Sequence, residues 1–218
     1  MFSFYNMTPV IMKEKPMRKQ QFFTSDLHFG HTNIIKYCNR PYSTVDEMNE
    51  ALIANWNEVV PEENADVYIL GDLVMGKFAE NIKLIKELNG RKWLVSGNHD
   101  RCWPGHKNYF NQIKKYLDAG ISGVSQNLLL RLNANPDHNV TLSHFPKRAS
   151  LGAYDHRYSD YYQTTNQWVL HGHVHDTWKV DFENKQINVG VDVWDYKPVS
   201  EETLGQIIDE ANAQWRIK

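Results

Sequence analysis

Six short apolar runs punctuate the chain, and each breaks off into a polar turn: QFFTSD at 21–26, DVYILGD at 66–72, KWLVSGN at 92–98, NVTLSH at 139–144, QWVLHG at 167–172 and INVGVD at 187–192. Runs this short, bounded in this way, read as buried strands. Between the first two, Thr44 and Glu47 have capping-box spacing, and Val45, Met48, Leu52 and Trp56 recur on one helical face, so that segment is a helix. Further helices are expected at about 78–89 (Phe78, Ile82, Ile85, Leu88, stopped by Gly90), about 106–118, and about 200–213 behind a Ser200 cap. Strand and helix thus alternate through the first half, as in a parallel βαβ sheet. In the second half, Leu128–Leu132 and Val140–Ser143 flank the turn-rich NANPDHN, and Val180–Phe182 and Gln186–Val189 flank Glu183–Lys185, which reads as two hairpins. The expected fold is therefore α/β, two packed sheets with helices outside, in one domain over residues 18–218. Residues 1–17, with four methionines and no clear period, read as a loosely held extension.

A chain of 218 residues with 41% hydrophobic residues has material for a real core. At this size about 70% of the unfolded surface is hidden on folding, so no disulfide or metal staple is required and a bound metal would serve chemistry. The two cysteines, Cys38 and Cys102, are too few for a disulfide framework and suit a reducing compartment. The N-terminus has no basic region ahead of its apolar residues, and no run approaches the roughly 18 apolar residues a membrane span needs, so the reading is soluble and cytoplasmic, with no membrane partner.

The balance of 24 Lys+Arg against 26 Asp+Glu excludes a wholesale polyanion binder. It is unevenly spread: residues 40–72 hold eight acids and one base, whereas residues 77–116 hold nine bases and three acids. The basic stretch is either a solvated helix surface or a face turned to nucleic acid.

The C-terminal ends of the expected strands carry Asp26 and His28, then Asp72, then Asn98, His99 and Asp100, then His144, then His171, His173 and His175. The crevice beyond such ends is where open α/β sheets bind ligands. A lone Asp or His there is a turn former or a polar residue with a partner, but recurrence at five strand ends, using six of the ten histidines, is not a scatter of turn residues. Alternate residues of an extended segment share a face, so Asp26 with His28, and His173 with His175, can each offer two donors to one side. Two such pairs can grip two ions, with Asp72 bridging them through its two oxygens and Asn98 adding a neutral one. Two divalent ions against two carboxylates and a hydroxide leave a net positive charge that attracts an anionic phosphate ester.

Asp26-Leu27-His28, Gly71-Asp72, Gly97-Asn98-His99-Asp100, His144 and Gly172-His173-Val174-His175 resemble the five ordered motifs of the calcineurin-like metallophosphoesterase superfamily, over about residues 22–195. SDLHFGHTNII and NVGVDVW are similar to small bacterial and phage phosphoesterases without large appended domains. The resemblance implies the four-layer αββα sandwich of two mixed sheets. It also implies one metal held by Asp26, His28, Asp72 and His175, and a second held by Asp72, Asn98, His144 and His173. Mixed N/O ligation suits Mn, Fe, Zn, Co or Ni, with manganese favoured for activity. The implied reaction is in-line displacement at phosphorus by hydroxide formed between the ions. His99, next to a ligand but not one itself, then protonates the leaving alkoxide or props Asn98.

Asp100 either orients His99 or caps the following turn. His31 either reaches a substrate phosphate or closes the start of the short helix TNIIKYC. Lys147 and Arg148 face phosphate or solvent, and His171 reads as buried structure. Where the superfamily's phosphoprotein phosphatases continue Gly-Asp with an acid and an arginine, this chain has Leu73-Val74-Met75-Gly76, which favours phosphodiesters or small phosphomonoesters. The Gly-Asn-His-Asp string also resembles class III cyclic-nucleotide phosphodiesterases. The expected partner is a small phosphoester or nucleotide. The alternatives are a nuclease using the basic stretch, a phosphomonoesterase, and a catalytically idle metal-bound scaffold; the oligomeric state stays open.

Overall fold

The computed structural model describes residues 18–133, 137–147 and 157–217, so the extension at 1–17 and Arg148 lie outside the described residues. Strand β1 (Gln20–Thr24) is followed by helices α1 (Thr32–Tyr37) and α2 (Val45–Val59), then β2 (Ala65–Ile69), α3 (Phe78–Asn81), β3 (Arg91–Val95), α4 (Tyr109–Asp118) and β4 (Ile121–Ser125). These four strands run parallel, as the alternation of strand and helix requires. The chain then crosses to a second sheet through β5 (Asn127–Arg131), β6 (Asn139–Ser143), β7 (Trp168–His171), β8 (Val180–Asp181) and β9 (Gln186–Asn188). It returns to the first through β10 (Val199–Ser200) and ends in α5 (Glu201–Ile217). The sheet orders are β10-β1-β2-β3-β4 and β5-β6-β7-β9-β8. Both sheets are mixed, because β10 pairs antiparallel with β1, and the hairpins β5/β6 and β8/β9 bracket the parallel pairs of the second sheet.

Alternation along β1 and β2 divides the core. Phe22, Val67 and Ile69 pack with Met48, Leu52 and Trp56 of α2, with Ile85, and with Tyr116 of α4. Phe23, Tyr68 and Leu70 face the other way, onto Val140, Leu142, Leu170 and Ile187 of the second sheet and Leu204 and Ile208 of α5. Two mixed sheets flanked by helices are thus the architecture that the sequence pattern anticipates. The α2 cap forms as expected, Thr44 Oγ1 accepting from the Glu47 N–H at 3.1 Å while the Glu47 carboxylate accepts from the Ser43 N–H at 2.8 Å.

Three elements differ from expectation. The helix expected at 78–89 is one α-turn, α3, followed by a 3-10 run at Ile82–Glu87. Its buried residues Ile82 and Ile85 are spaced by three, which a helix of three residues per turn keeps on one side, and Leu88 is buried just after it. The helix expected from 106 begins at Tyr109, because Asn108 sits in the left-handed region (φ 64°) just before it. The run at 187–192 leaves the sheet after Asn188 and turns into a 3-10 segment, Val191–Val193.

Candidate metal centre

Because β1 and β2 are parallel and in register, Thr24 opposite Ile69, their C-terminal ends emerge side by side. The pairing continues into the loops, where Asp26 N–H donates to Gly71 O (3.0 Å), His28 N–H to Asp72 O (2.9 Å) and Phe29 N–H to Leu73 O (3.0 Å). These loops are not the extended chain that the Asp-x-His and His-x-His spacings suggest. Asp26, His28, Asp72, His173 and His175 all have φ between 49° and 73°, in the left-handed region. Non-glycine residues seldom adopt it, and they do so mainly where the surroundings hold a functional geometry. The strand-alternation rationale is therefore corrected: the turns, not a pleat, send both members of each pair into the site, while Leu27 between them is buried in the helical core.

Asp72 Oδ2 lies 3.6 Å from His28 Nε2 and 3.6 Å from His144 Nε2. Asp26 Oδ1 lies 4.0 Å from His28 Nε2, and Asn98 Oδ1 lies 3.1 Å from His144 Nε2. Two donors about 2.1 Å from one ion are separated by about 3.0–3.4 Å, so these spacings are near those of a shared cation. Donor atoms of Asp26, His28 and His175 fall within 4.8 Å of one another, as do those of Asp26, Asp72 and His144, which puts Asp26 as well as Asp72 between the two histidine groups. His173 adjoins the second group, its ring 5.2 Å from that of His144 and its N–H donating to Asp26 Oδ2 at 3.0 Å.

The electrostatics call for cations. Asp26, Asp72 and Asp100 are buried together, and burial followed by the charges of Asp26 and Asp100 pushes the Asp72 carboxyl well above the usual carboxylate range. Asp26 Oδ1 and His28 Nε2 are buried without a hydrogen-bond partner among the described residues, a costly state that a metal ion would relieve. Burial and cationic neighbours hold His28 well below the usual imidazole value; burial lowers His144, and burial with His144 and His175 brings His173 down to about 2. Each is neutral at pH 7, with a lone pair free for a metal. His175 runs the other way: burial opposes its charge, but Asp26 and the Asp192 hydrogen bond raise it to about 11. Its Nδ1 is occupied by Asp192 Oδ2 at 3.1 Å, leaving Nε2 for an ion, a carboxylate-histidine arrangement typical of metal ligands. The donor set of imidazole, carboxylate and amide fits a divalent transition metal.

Asp100 neither orients His99 nor merely caps a turn. Its fully buried carboxylate accepts from Gly97 N–H (2.9 Å), Asp72 N–H (2.9 Å) and Leu73 N–H (3.1 Å), lacing the loop after β3 to the loop after β2. His99 is at the edge of the site, its ring 46% exposed and its Nε2 4.0 Å from Asp72 Oδ2. His31 precedes α1 without a side-chain cap bond; its ring lies 5.2 Å from that of His28. His171 is fully buried, as expected. Lys147 lines a separate cavity of about 610 Å³ with Glu183 and Lys185.

Two site-building residues escape a reading of strand ends. Arg40 donates through Nε and Nη2 to Asp192 (2.7 and 3.0 Å), and through Nη2 and Nη1 to the carbonyls of Asp26 (2.7 Å) and Leu27 (3.0 Å). The pair braces the loop that carries Asp26 and Leu27 from behind and fixes His175. Arg40 is the only base of the acidic 40–72 stretch, and that isolation is the signal that could have marked it.

Comparison with known proteins agrees with this geometry. The chain is 34% identical over 196 residues to the uncharacterized protein MJ1445 of Methanocaldococcus jannaschii, covering 87% of this chain and 91% of that one. It is 30% identical over 182 residues to the Gene 66 protein of Mycobacterium phage L5, covering 79% and 86%. Among solved structures it resembles a protein of unknown function, AQ665, from Aquifex aeolicus, with TM-score 0.65, 26% identity, and 86% and 98% of the two chains covered. The family model for calcineurin-like phosphoesterases matches residues 22–177, which span every motif from Asp26 to His175. A chain whose strand ends converge on clustered Asp, Asn and His donors, and whose sequence fits that model over most of its length, belongs to the calcineurin-like phosphoesterase family, whose members hydrolyse phosphoric esters.

Proposed function

We propose that the chain is a dinuclear metal-dependent phosphodiesterase, with cyclic nucleotides among its candidate substrates. The observation that carries this reading is Asp72 Oδ2, equally 3.6 Å from His28 and His144, which is where a bridging carboxylate belongs. Asp26, His28, Asp72 and His175 would hold one ion, and Asp72, Asn98, His144 and His173 the other. Bound there, two divalent ions would supply Lewis-acid polarisation of a phosphoryl oxygen and hydroxide at neutral pH.

The chain's own residues do the rest. Asp100 and Arg40 hold the loops that carry Asp72 and Asp26, so the donors need not reorganise as the reaction proceeds. His99, half exposed beside Asp72, is placed to give a proton to the leaving oxygen. In the free site burial, then His144 and His31, holds it down to about 4, so the acid role requires that the negative charge of a bound ester raise it towards the protonated form. Leu73 and Val74, where the phosphoprotein phosphatases carry an acid and an arginine, are buried at 0% and 2% exposure and cannot grip a phosphate. This supports a monoanionic diester over a dianionic monoester. Cys38 and Cys102, both buried and unbridged, support a reducing, cytoplasmic setting.

The test is to strip the protein of metal, restore Mn, Fe, Zn, Co or Ni in turn, and compare bis-p-nitrophenyl phosphate with p-nitrophenyl phosphate and with 2′,3′- and 3′,5′-cyclic nucleotides. The diester should be turned over faster than the monoester with the best metal. Faster monoester turnover with every metal would replace this reading with a phosphatase.

A further inference from the structure

The nine bases of 77–116 are not one solvated face. Arg91 pairs with Asp66, and Lys92 is buried with its ammonium donating to Leu88 O at 2.6 Å. Lys77 pairs with Glu80, and Lys114 with Asp118. Arg101, Lys107 and Lys115 have no carboxylate within ion-pair reach among the described residues, and the fold gathers these three, with His106 and Gln112, around one cavity of about 340 Å³. That is within the usual range for small-ligand sites. The cavity adjoins the metal loops. Arg101 directly follows the Asn98-His99-Asp100 turn, and His106 Nε2 lies 2.8 Å from the carbonyl oxygen of Asn98, whose side chain meets His144. Arg101 is steadied from both sides, its N–H donating to the Tyr116 hydroxyl at 3.0 Å and its guanidinium lying 4.4 Å from the Phe78 ring centroid.

Three exposed cations lining one cavity, with no carboxylate in ion-pair reach among the described residues, make a patch of positive charge that favours an anion. Resting on the phosphoesterase reading, we propose that this cavity is a second anion site, which holds a phosphate of the substrate other than the one being cleaved. The preferred substrate would then carry at least two phosphates, as a nucleotide with a further phosphate does, or a strand of nucleic acid. An arginine fork with two flanking lysines is the usual chemistry for such a group.

Binding can be read without turnover. Fluorescence anisotropy would follow a labelled phosphorothioate dT 12-mer, which keeps the backbone charge and resists cleavage, on Mn²⁺-loaded protein. The comparison is with K107Q/K115Q and with R101Q/K107Q/K115Q, and the double variant stands if loss of the Arg101 contact with Phe78 perturbs folding. The variants should bind at least about tenfold more weakly at low salt, with the slope of log affinity against log salt reduced by about 0.7 for each contact removed. Thymidine 3′,5′-bisphosphate is the second arm: displacement of the strand at similar concentrations in the native protein alone assigns the site to a single nucleotide, and failure to displace assigns it to a strand. Strand affinity and salt slope unchanged in both variants would overturn the proposal. Bis-p-nitrophenyl phosphate, assayed on the same protein, reports separately on the phosphoesterase reading, since its failure to react would leave the binding result standing.

Discussion

His99 and Asp72 are 4.0 Å apart but should fail in different ways. His99→Ala removes no proposed ligand, so both metals should stay, and activity should fall up to about 10²- to 10⁴-fold on esters with a poor leaving group such as a ribose alkoxide. The loss should be much smaller on p-nitrophenyl esters, whose phenolate departs without a proton. Metal content by elemental analysis and kcat on both ester types decide it; an equal loss on both, with metal retained, rejects the acid role. The candidate donors were legible because metal ligation demands particular side chains, and the fold brings Asp26, His28, Asp72, Asn98, His144, His173 and His175 together. Arg40, Asp192 and the true task of Asp100 were not, because they act through backbone groups and other side chains, and an arginine or aspartate in that service has no distinctive neighbour in sequence. The left-handed turns at Asp26 and His28 were equally hidden, since nothing in Asp-Leu-His demands φ near 55°.

Among elements, the loops after β1 and β7 meet closely, and they belong to different sheets. A Cβ on Gly172 would fall on Ser25 Oγ and the Asp26 carboxylate. Gly172→Ala should therefore destabilise the protein by about 1–3 kcal/mol, the usual cost of overpacking, and displace Asp26 enough to lower Mn²⁺ retention through gel filtration. A native midpoint in urea together with full metal retention would show that the two loops can part without harm. The strands themselves were readable because burial on both faces leaves continuous apolar runs, and α2 because its cap and its apolar face agree. The 3-10 run at Ile82–Glu87 was not, since apolar residues three apart fit a helix of either pitch until packing against the sheet chooses. The two-residue strand β10 was too short to leave any pattern at all.

For the molecule as a whole, the site joins two sheets, Asp26, Asp72 and Asn98 following strands of the first, and His144, His173 and His175 following strands of the second. Ions bound there should act on global stability. At a free concentration about 1,000 times Kd each contributes about 4 kcal/mol, which for a chain of this size is about 8–16 °C in Tm. Removing metal with EDTA should lower Tm by at least that much, and re-addition of Mn²⁺ should restore it; an unchanged Tm in protein shown to be metal-free would mean that the sheets dock without the ions. The brace between Arg40 and Asp192 carries this dependence into the order of synthesis. Arg40 is made soon after the first strand, and Asp192 152 residues later. At about 5–20 residues per second, synthesis of the stretch between them lasts about 8–30 s. Through that interval the loop that carries Asp26 is held, of this pair, by Arg40 alone, and the candidate site closes only after strands of both sheets have been made.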